Sequence, residues 1–326
     1  MTKWSWTAAI VFLAAISSGA SAQTEPYPNK PVRIIVDSAA GSATDVSARL
    51  MADRLTQVWG QQAIVINQPG AGGSIAVRAA SQAAPDGYTL YVGAASTFTA
   101  IKGAPGVAPN LPIELPRDFA PIGETGNSVY TLCASKELGV KSFAEMVALA
   151  KAKPGELKIG SVGIGSAHHL IDEMLKAAAG IELTHVPYRG EAPSIVDLLA
   201  GRIDLMFLTT AKPLIDENRV VGLGVTSAEE WFNLPGLKPL VQLGLKDFVV
   251  PGWNGLLAPK GTPPAVVAKL SDALSATLRT DAAIRAFNAM GFKPGPGTPD
   301  AMRLQIESDM RLFTTVIRER NLKFDG

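Results

Sequence analysis

The chain is expected to fold as an α/β protein of two lobes, and three observations predict it. Short β-rich runs alternate with helix-length amphipathic segments along most of the length, the signature of a mostly parallel sheet with helices on its faces. The alternation comes in two sets of ordinary domain size, with a helical tail left over. Three of the strand-to-helix turns are rich in Gly, Ser and Thr, as at the carboxyl edge of an open α/β sheet, where ligands bind.

The first segment stands apart from the fold. Lys3 precedes an apolar run at residues 8–16, and small residues follow, ending in Ala20-Ser21-Ala22. A basic start, a short apolar stretch and an A-x-A ending mark a secretory leader, here cut after Ala22. The apolar run is shorter than the roughly 20 residues a membrane span needs. No later segment comes near that length, so the exported chain is expected to be soluble.

The first set then reads in order. Val32–Val36 is a buried strand and residues 44–59 a helix, with Val46, Leu50, Leu55 and Val58 near helical spacing. Ala63–Asn67 is the next strand, and residues 74–84 a helix. Pro85-Asp86-Gly87 is a turn, and residues 88–92 a third strand. The second set repeats the scheme. Residues 142–153 form a helix opened by Ser142, with Glu145 three positions on as a capping box, and Pro154-Gly155 stops it. Strand 157–161 leads through residues 162–166 into helix 167–179, which Gly180 ends. Residues 184–186 form a strand, 193–200 a helix, and 203–208 and 220–226 further strands. The tail is helical over 263–290, in two pieces, and over 299–319.

Composition removes several function classes. The sequence has 30 Lys+Arg against 29 Asp+Glu; removal of Lys3 with the leader balances the mature charge. That excludes the basic stripe of a nucleic-acid binder. The single cysteine, Cys133, allows no intramolecular disulfide. It sits in the apolar run 129–134 as a small hydrophobe, with no polar neighbour in sequence to lower its pKa. Aromatic residues make up 6% against 31 glycines, which suits helices packed closely on a sheet more than an aromatic-lined sugar groove.

The chemistry-bearing segments are the three turns: residues 37–45, 93–97 and 161–167. Each offers backbone N–H groups and small hydroxyls at a helix N-terminus, a ready anion site; ordinary capping turns are the alternative. Gly70-Ala71-Gly72-Gly73 follows a strand and opens a helix, but the third glycine of a dinucleotide fingerprint falls on Ile75. Close helix–strand packing explains these glycines better. His168 and His169 are adjacent, and no H-E-x-x-H run exists, so no metal site is expected. Ser161 or Ser166 with His168 and Asp172 lacks the register of a nucleophile elbow. His168 is a plausible ligand contact and His169 a structural residue. Arg189 is weighed as a carboxylate partner against a surface role.

At this point the residues resemble the Bug/TctC-type periplasmic solute receptors of tripartite tricarboxylate transporters. The matches run in order from Tyr27-Pro28-Asn29-Lys30-Pro31 at the mature start. Gly41-Ser42-Ala43-Thr44-Asp45 falls on the first ligand loop, Asn67-Gln68-Pro69-Gly70-Ala71-Gly72-Gly73 on "NRPGAGG", and Ala84-Pro85-Asp86-Gly87-Tyr88-Thr89-Leu90 on "APDGYTL". Further on, Arg117-Asp118-Phe119-Ala120-Pro121-Ile122 is similar to "RDFAPI", His185-Val186-Pro187-Tyr188-Arg189-Gly190 to "HVPYKG", and Trp253-Asn254-Gly255-Leu256-Leu257-Ala258-Pro259 to "WFGLLAP". Together they are specific for the family and say little about the ligand.

The resemblance implies a type II periplasmic-binding-protein fold, two α/β lobes with two crossovers and a ligand cleft between them. Lobe one would comprise residues 23–125 plus 251–326 and lobe two residues 126–250, with crossovers near 126–130 and 251–256. It implies a periplasmic, monomeric receptor that binds a small organic acid without cofactor or metal and passes it to membrane permease subunits. A ligand-presenting sensor for a membrane kinase is the alternative, with a secreted α/β hydrolase behind it. The implied contacts are Ser38, Gly41, Ser42 and Asp45 in the first loop, and Ser96 and Thr97 in the second. On lobe two they are Ser161, Gly165, Ser166, Ala167 and His168, with Tyr188 and Thr209 near the floor.

The chain departs from the family's "PFxxGGxxD" loop, with Asp37 for Pro, Ser38 for Phe and Ser42 for the second Gly. Leu208 stands where relatives often have an acid after "MF", which disfavours an amine-bearing ligand unless Asp37 faces the cleft.

Overall fold

A computed structural model describes residues 27–70, 73–95, 97 and 117–319. The expected leader and its cleavage after Ala22, and Ser96, lie outside the described residues. In chain order the elements begin with β1 (Val32–Val36), α1 (Ala43–Trp59), β2 (Ala63–Asn67), α2 (Ser74–Ser81) and β3 (Thr89–Ala94). Then come β4 (Phe119–Val129), β5 (Thr131–Ser135), α3 (Phe143–Ala152), β6 (Lys158–Ser161), α4 (Ala167–Ala179) and β7 (Thr184–Pro187). The chain continues through α5 (Glu191–Leu199), β8 (Leu205–Leu208), α6 (Ala211–Asp216), β9 (Val220–Val225) and β10 (Pro251–Pro259). It closes with α7 (Pro264–Leu278), α8 (Asp281–Ala289), β11 (Lys293–Pro294) and α9 (Pro299–Glu319).

Local chemistry sets the helix ends. Ser42 caps α1, accepting from the Asp45 N–H, and Gly60 ends it in the left-handed region. Ser166 and Gly180 do the same for α4, so the helix that opens beside the third Gly/Ser turn is held at both ends. At α3, Ser142 accepts from Glu145 N–H, but the Glu145 carboxylate reaches back to Lys141 N–H, one residue before the cap.

These elements make two sheets, ordered β11-β4-β10-β3-β1-β2 and β7-β6-β8-β5-β9. The expectation of mostly parallel sheets needs correction, because each sheet is mixed. β1 pairs in parallel with β2 and β3, and β6 with β7 and β8. β10 runs antiparallel to β3 and β4, and β5 antiparallel to β8 and β9. The antiparallel pairs are made by the strands that pass between the sheets: β10, which enters the first sheet, and β5, which continues from β4 across Tyr130 into the second.

Each sheet has its own core. Val32, Ile34, Leu90 and Leu256 pack with α1, α7 and α8 on one face of the first sheet. Tyr91, Trp253 and Leu257 pack with Ala76, Met302 and Ile306 on the other. The second sheet's Leu132, Ile159, Leu205 and Phe207 gather with Leu170, Ile171 and Leu175 of α4. Fully burying such side chains contributes about 1.5–3 kcal/mol each. Helix α9 belongs to both cores: Met302 and Ile306 lie against the first sheet, whereas Phe313 packs in the second core. Asp309, between them, accepts from the Trp253 indole N–H and from Gln305; burial pushes its carboxyl up to about 6 against those bonds.

The passage between the sheets is made by two strands side by side, β4 and β10, paired from Pro251↔Val129 to Pro259↔Phe119. Thr226 stitches their far ends. Its hydroxyl accepts from Tyr130 N–H (3.1 Å) and donates to the Val250 carbonyl (2.6 Å). Its backbone accepts from Val250 N–H and donates to the Tyr130 carbonyl. Thr226 is fully buried, so water offers no substitute. Thr226→Val keeps the shape and orphans the Tyr130 N–H; chemical denaturation is expected to show a loss of about 2 kcal/mol, and an unchanged transition would remove the clip from the stability of the crossing.

Candidate functional site

The first loop follows β1 and is closed by its own side chains. Ser38 Oγ lies 2.6 Å from Ser42 Oγ and 2.7 Å from Thr44 Oγ1, so three hydroxyls share protons beside the start of α1. Behind them Asp45 is buried at 1% exposure. Its carboxylate accepts from Arg49 Nε and Nη2, from Asn67 Nδ2 and from Gly41 N–H. Burial works to raise its pKa, but the Arg49 bonds, the Gly41 amide and Asn67 outweigh it and hold the group below the usual carboxylate range. Asp45 therefore shapes the loop from behind, and the Gly41 amide is spent on it. Gly41 itself sits at φ +84 with open space beyond its Cα, a backbone state that favours glycine.

Asp37 is turned inward at 8% exposure. It accepts from the Tyr91 hydroxyl and from the Thr97 hydroxyl. Burial raises its pKa, opposed by the Thr97 and Tyr91 bonds and by backbone amides. Thr97, read from sequence as a ligand donor, thus commits its proton to Asp37. A Cβ on Gly73 would lie 2.4 Å from Thr97 Cγ2, at φ +89, which explains the last glycine of the Gly70–Gly73 turn by close packing.

The third loop is organised by two stacked imidazoles. His169 and His185 lie 3.9 Å apart, 3° from parallel. His169 Nδ1 accepts from Gly165 N–H (3.0 Å), and His185 Nε2 lies 2.6 Å from Ser161 Oγ. Ser166 Oγ donates to the Gly163 carbonyl and accepts from His169 N–H. By helix geometry the next two amides, of Ala167 and His168, have no intrahelical acceptor. The His168 ring is buried at 3% exposure, stands edge-on to Tyr130 at 5.1 Å, and has no hydrogen-bond partner at either nitrogen.

The floor residues are engaged elsewhere. Tyr188 donates to Asp197 (2.7 Å). Thr209 donates its amide and hydroxyl to Glu191, and Thr210 does the same, at 2.7–3.1 Å. Glu191 was not legible as a site residue, because nothing local distinguishes it from a first-turn acid favoured by the helix dipole. Leu208 supplies no acid, but Glu191 brings a carboxylate to the next two residues, whose amides and hydroxyls occupy it. Thr44 and Asn67 were also missed, although both stand inside the motifs read from the sequence. Arg189 is exposed, and Cys133 is buried with its thiol pKa pushed up by burial.

The structure therefore gathers Ser38, Gly41, Ser42, Asp45 and Thr97 at the first sheet, and Ser161, Gly165, Ser166, Ala167 and His168 at the second. Two surface hollows of about 470 and 290 Å³, one beside Ser275 and Lys293 and one beside Lys30 and Tyr88, are lined by none of them.

Comparison with known proteins identifies close relatives. A family model described as "Tripartite tricarboxylate transporter family receptor" matches residues 47–322. The chain is 30% identical to Protein BugT of Bordetella pertussis, over 96% of each chain. It is similar to the structure "R. palustris Rpa4515 with adipate", at TM-score 0.83 and 30% identity, over 90% of this chain and 97% of that one. It is also similar to MatC of Rhodopseudomonas palustris with bound malate, at TM-score 0.81 and 28% identity, over 89% and 100% of the two chains.

The stacked imidazoles make the third loop sensitive to acid. Burial lowers both pKa values from an ordinary 6.5, to about 3 for His185, whose neighbour His169 and Lys176 push the same way. A depressed folded pKa means that the stabilisation is whole above about 6.5 and is lost as pH falls through the folded value. The thermal midpoint is expected to fall from pH 6.5 toward 3, with a shallower slope in His169→Gln. Equal slopes in the two proteins would contradict this account.

Proposed function

This chain belongs to the receptor family of tripartite tricarboxylate transporters, and we propose that the solute it receives is a small organic carboxylate, delivered to the permease subunits of such a transporter. In this reading the leader is removed after Ala22 and the mature protein works as a periplasmic monomer. The ligand lies between lobe one, residues 23–125 plus 251–326, and lobe two, residues 126–250, with α9 strapped across both. The lobes close on it as a hinge. No bond is made or broken.

The observation that carries the reading is the opening of α4. Two first-turn amides without intrahelical acceptors stand beside a buried neutral imidazole whose nitrogens are unpartnered, and relatives of the same fold hold adipate and malate. A helix N-terminus favours negative charge. Across from it, the Ser38, Ser42 and Thr44 hydroxyls supply rotatable donors, with Ser96 beside Thr97 in the second loop. Gly41, Asp45, Thr97, Ser161, Gly165, Tyr188 and Thr209 hold the loops in shape through the bonds described above. Hydrogen bonds to a charged group contribute about 1.5–3 kcal/mol each; several together reach the roughly −8 kcal/mol of micromolar binding.

Calorimetry on the mature protein is expected to give micromolar affinity for adipate or malate, with the acid recovered unchanged. Ser166→Ala should weaken binding about tenfold, alongside a loss of about 1 kcal/mol in stability from the missing helix cap. Binding confined to amino acids or inorganic cations would overturn the assignment.

A further inference from the structure

The face of α4 that presents His168 carries Asp172 one turn further on, since residues four apart on a helix lie one above the other, with Cβ atoms about 5–6 Å apart. Asp172 is fully buried and His168 is 3% exposed. Neither carboxyl oxygen of Asp172 has a hydrogen-bond partner in the protein, and neither ring nitrogen of His168 has one. One buried polar group left unmatched costs about 1–3 kcal/mol. Four such atoms on neighbouring turns call for a common guest.

Geometry says which atoms face it. Long helical side chains lean toward the helix N-terminus, so Asp172 leans toward His168, and His168 leans toward Ser166 and the loop. Tyr130 fixes the ring from the flank. The two side chains are not bonded directly, and a buried water that bridges two such groups needs two to four polar partners.

We propose that Asp172 is a positioning residue for His168: a water held between the carboxyl group and Nδ1 decides which ring nitrogen carries the proton. The inference rests on the reading of His168 as a ligand contact. In the proposed arrangement Asp172 is the carboxylic acid, the form that burial and Glu173 favour and Lys176 opposes. Burial also lowers His168 to about 4, with the Glu191 charge opposing, so the ring is neutral. The acid's O–H donates to the water, and the water donates to Nδ1. The ring proton then resides on Nε2, which donates toward the loop and meets a carboxylate oxygen. An ionised Asp172 would reverse the chain and turn a lone pair toward the anion. The pair thus selects an acceptor on the ligand at this point and rejects an ammonium or amide N–H.

Long-range proton–nitrogen correlation spectra of ligand-free, nitrogen-15-labelled protein read the His168 tautomer directly. The expected result is an unprotonated Nδ1 and a protonated Nε2, kept in Asp172→Asn and replaced by a tautomer mixture in Asp172→Leu. Adipate affinity should fall about tenfold in Asp172→Leu and be kept in Asp172→Asn. A protonated Nδ1 in the wild type, or an unchanged tautomer in Asp172→Leu, overturns the proposal. A changed tautomer with unchanged adipate affinity supports the Asp172–His168 link and instead overturns His168 as a ligand contact.

Discussion

The connection between the two sheets is the constraint on which the rest depends. Two neighbouring strands cross together, and Thr226 ties Tyr130 to Val250 with four hydrogen bonds in a site closed to water. A single connection would leave the second sheet free to swivel. Two strands paired in fixed register, β4 with β10, permit bending and resist twisting and shear. In the proposed reading, the donors of the two lobes therefore meet in the same geometry each time. Helix α9 reinforces this, with Met302 and Ile306 on one core, Phe313 in the other and Asp309 bound to Trp253 between them.

On that frame the proposed anion recognition uses neutral groups. Arg49, the cation built into the first loop, is held to Asp45 and serves the loop's shape. Two more acids, Asp37 and Glu191, are supplied with hydroxyl donors from within the protein. The supply matters because an unmet charge beside a carboxylate ligand would oppose binding, and an unmet buried charge costs several kcal/mol. What remains for the proposed ligand is a helix N-terminus, rotatable hydroxyls and a neutral imidazole. Such a site pays less desolvation than an ion pair and takes its selectivity from donor placement.

Much of the fold was legible because local rules and the final structure agree. Ser166 and Gly180 bound α4 where cap chemistry puts them, and β1, β2 and α9 occupy the expected residues. The crossing strand β4 was not read, since its Pro, Gly, Glu and Asn residues carry little β preference. It is a strand because β10 pairs along its whole length, and partners more than a hundred residues away leave no local periodicity. The same omission made the sheets look mostly parallel.

By itself the sequence determined the alternation of elements, the placement of helix starts at Gly/Ser turns and the family likeness. These follow from capping, periodicity and motif, which act over a few residues. Only the tertiary structure decided which hydroxyls and amides are already spoken for: Thr97 by Asp37, Gly41 by Asp45, Thr209 by Glu191, Gly165 by His169. Those pairings join side chains whose approach depends on the folding of each sheet. A hydrogen bond is a matter of distance and angle in space, and residue order along the chain does not encode it.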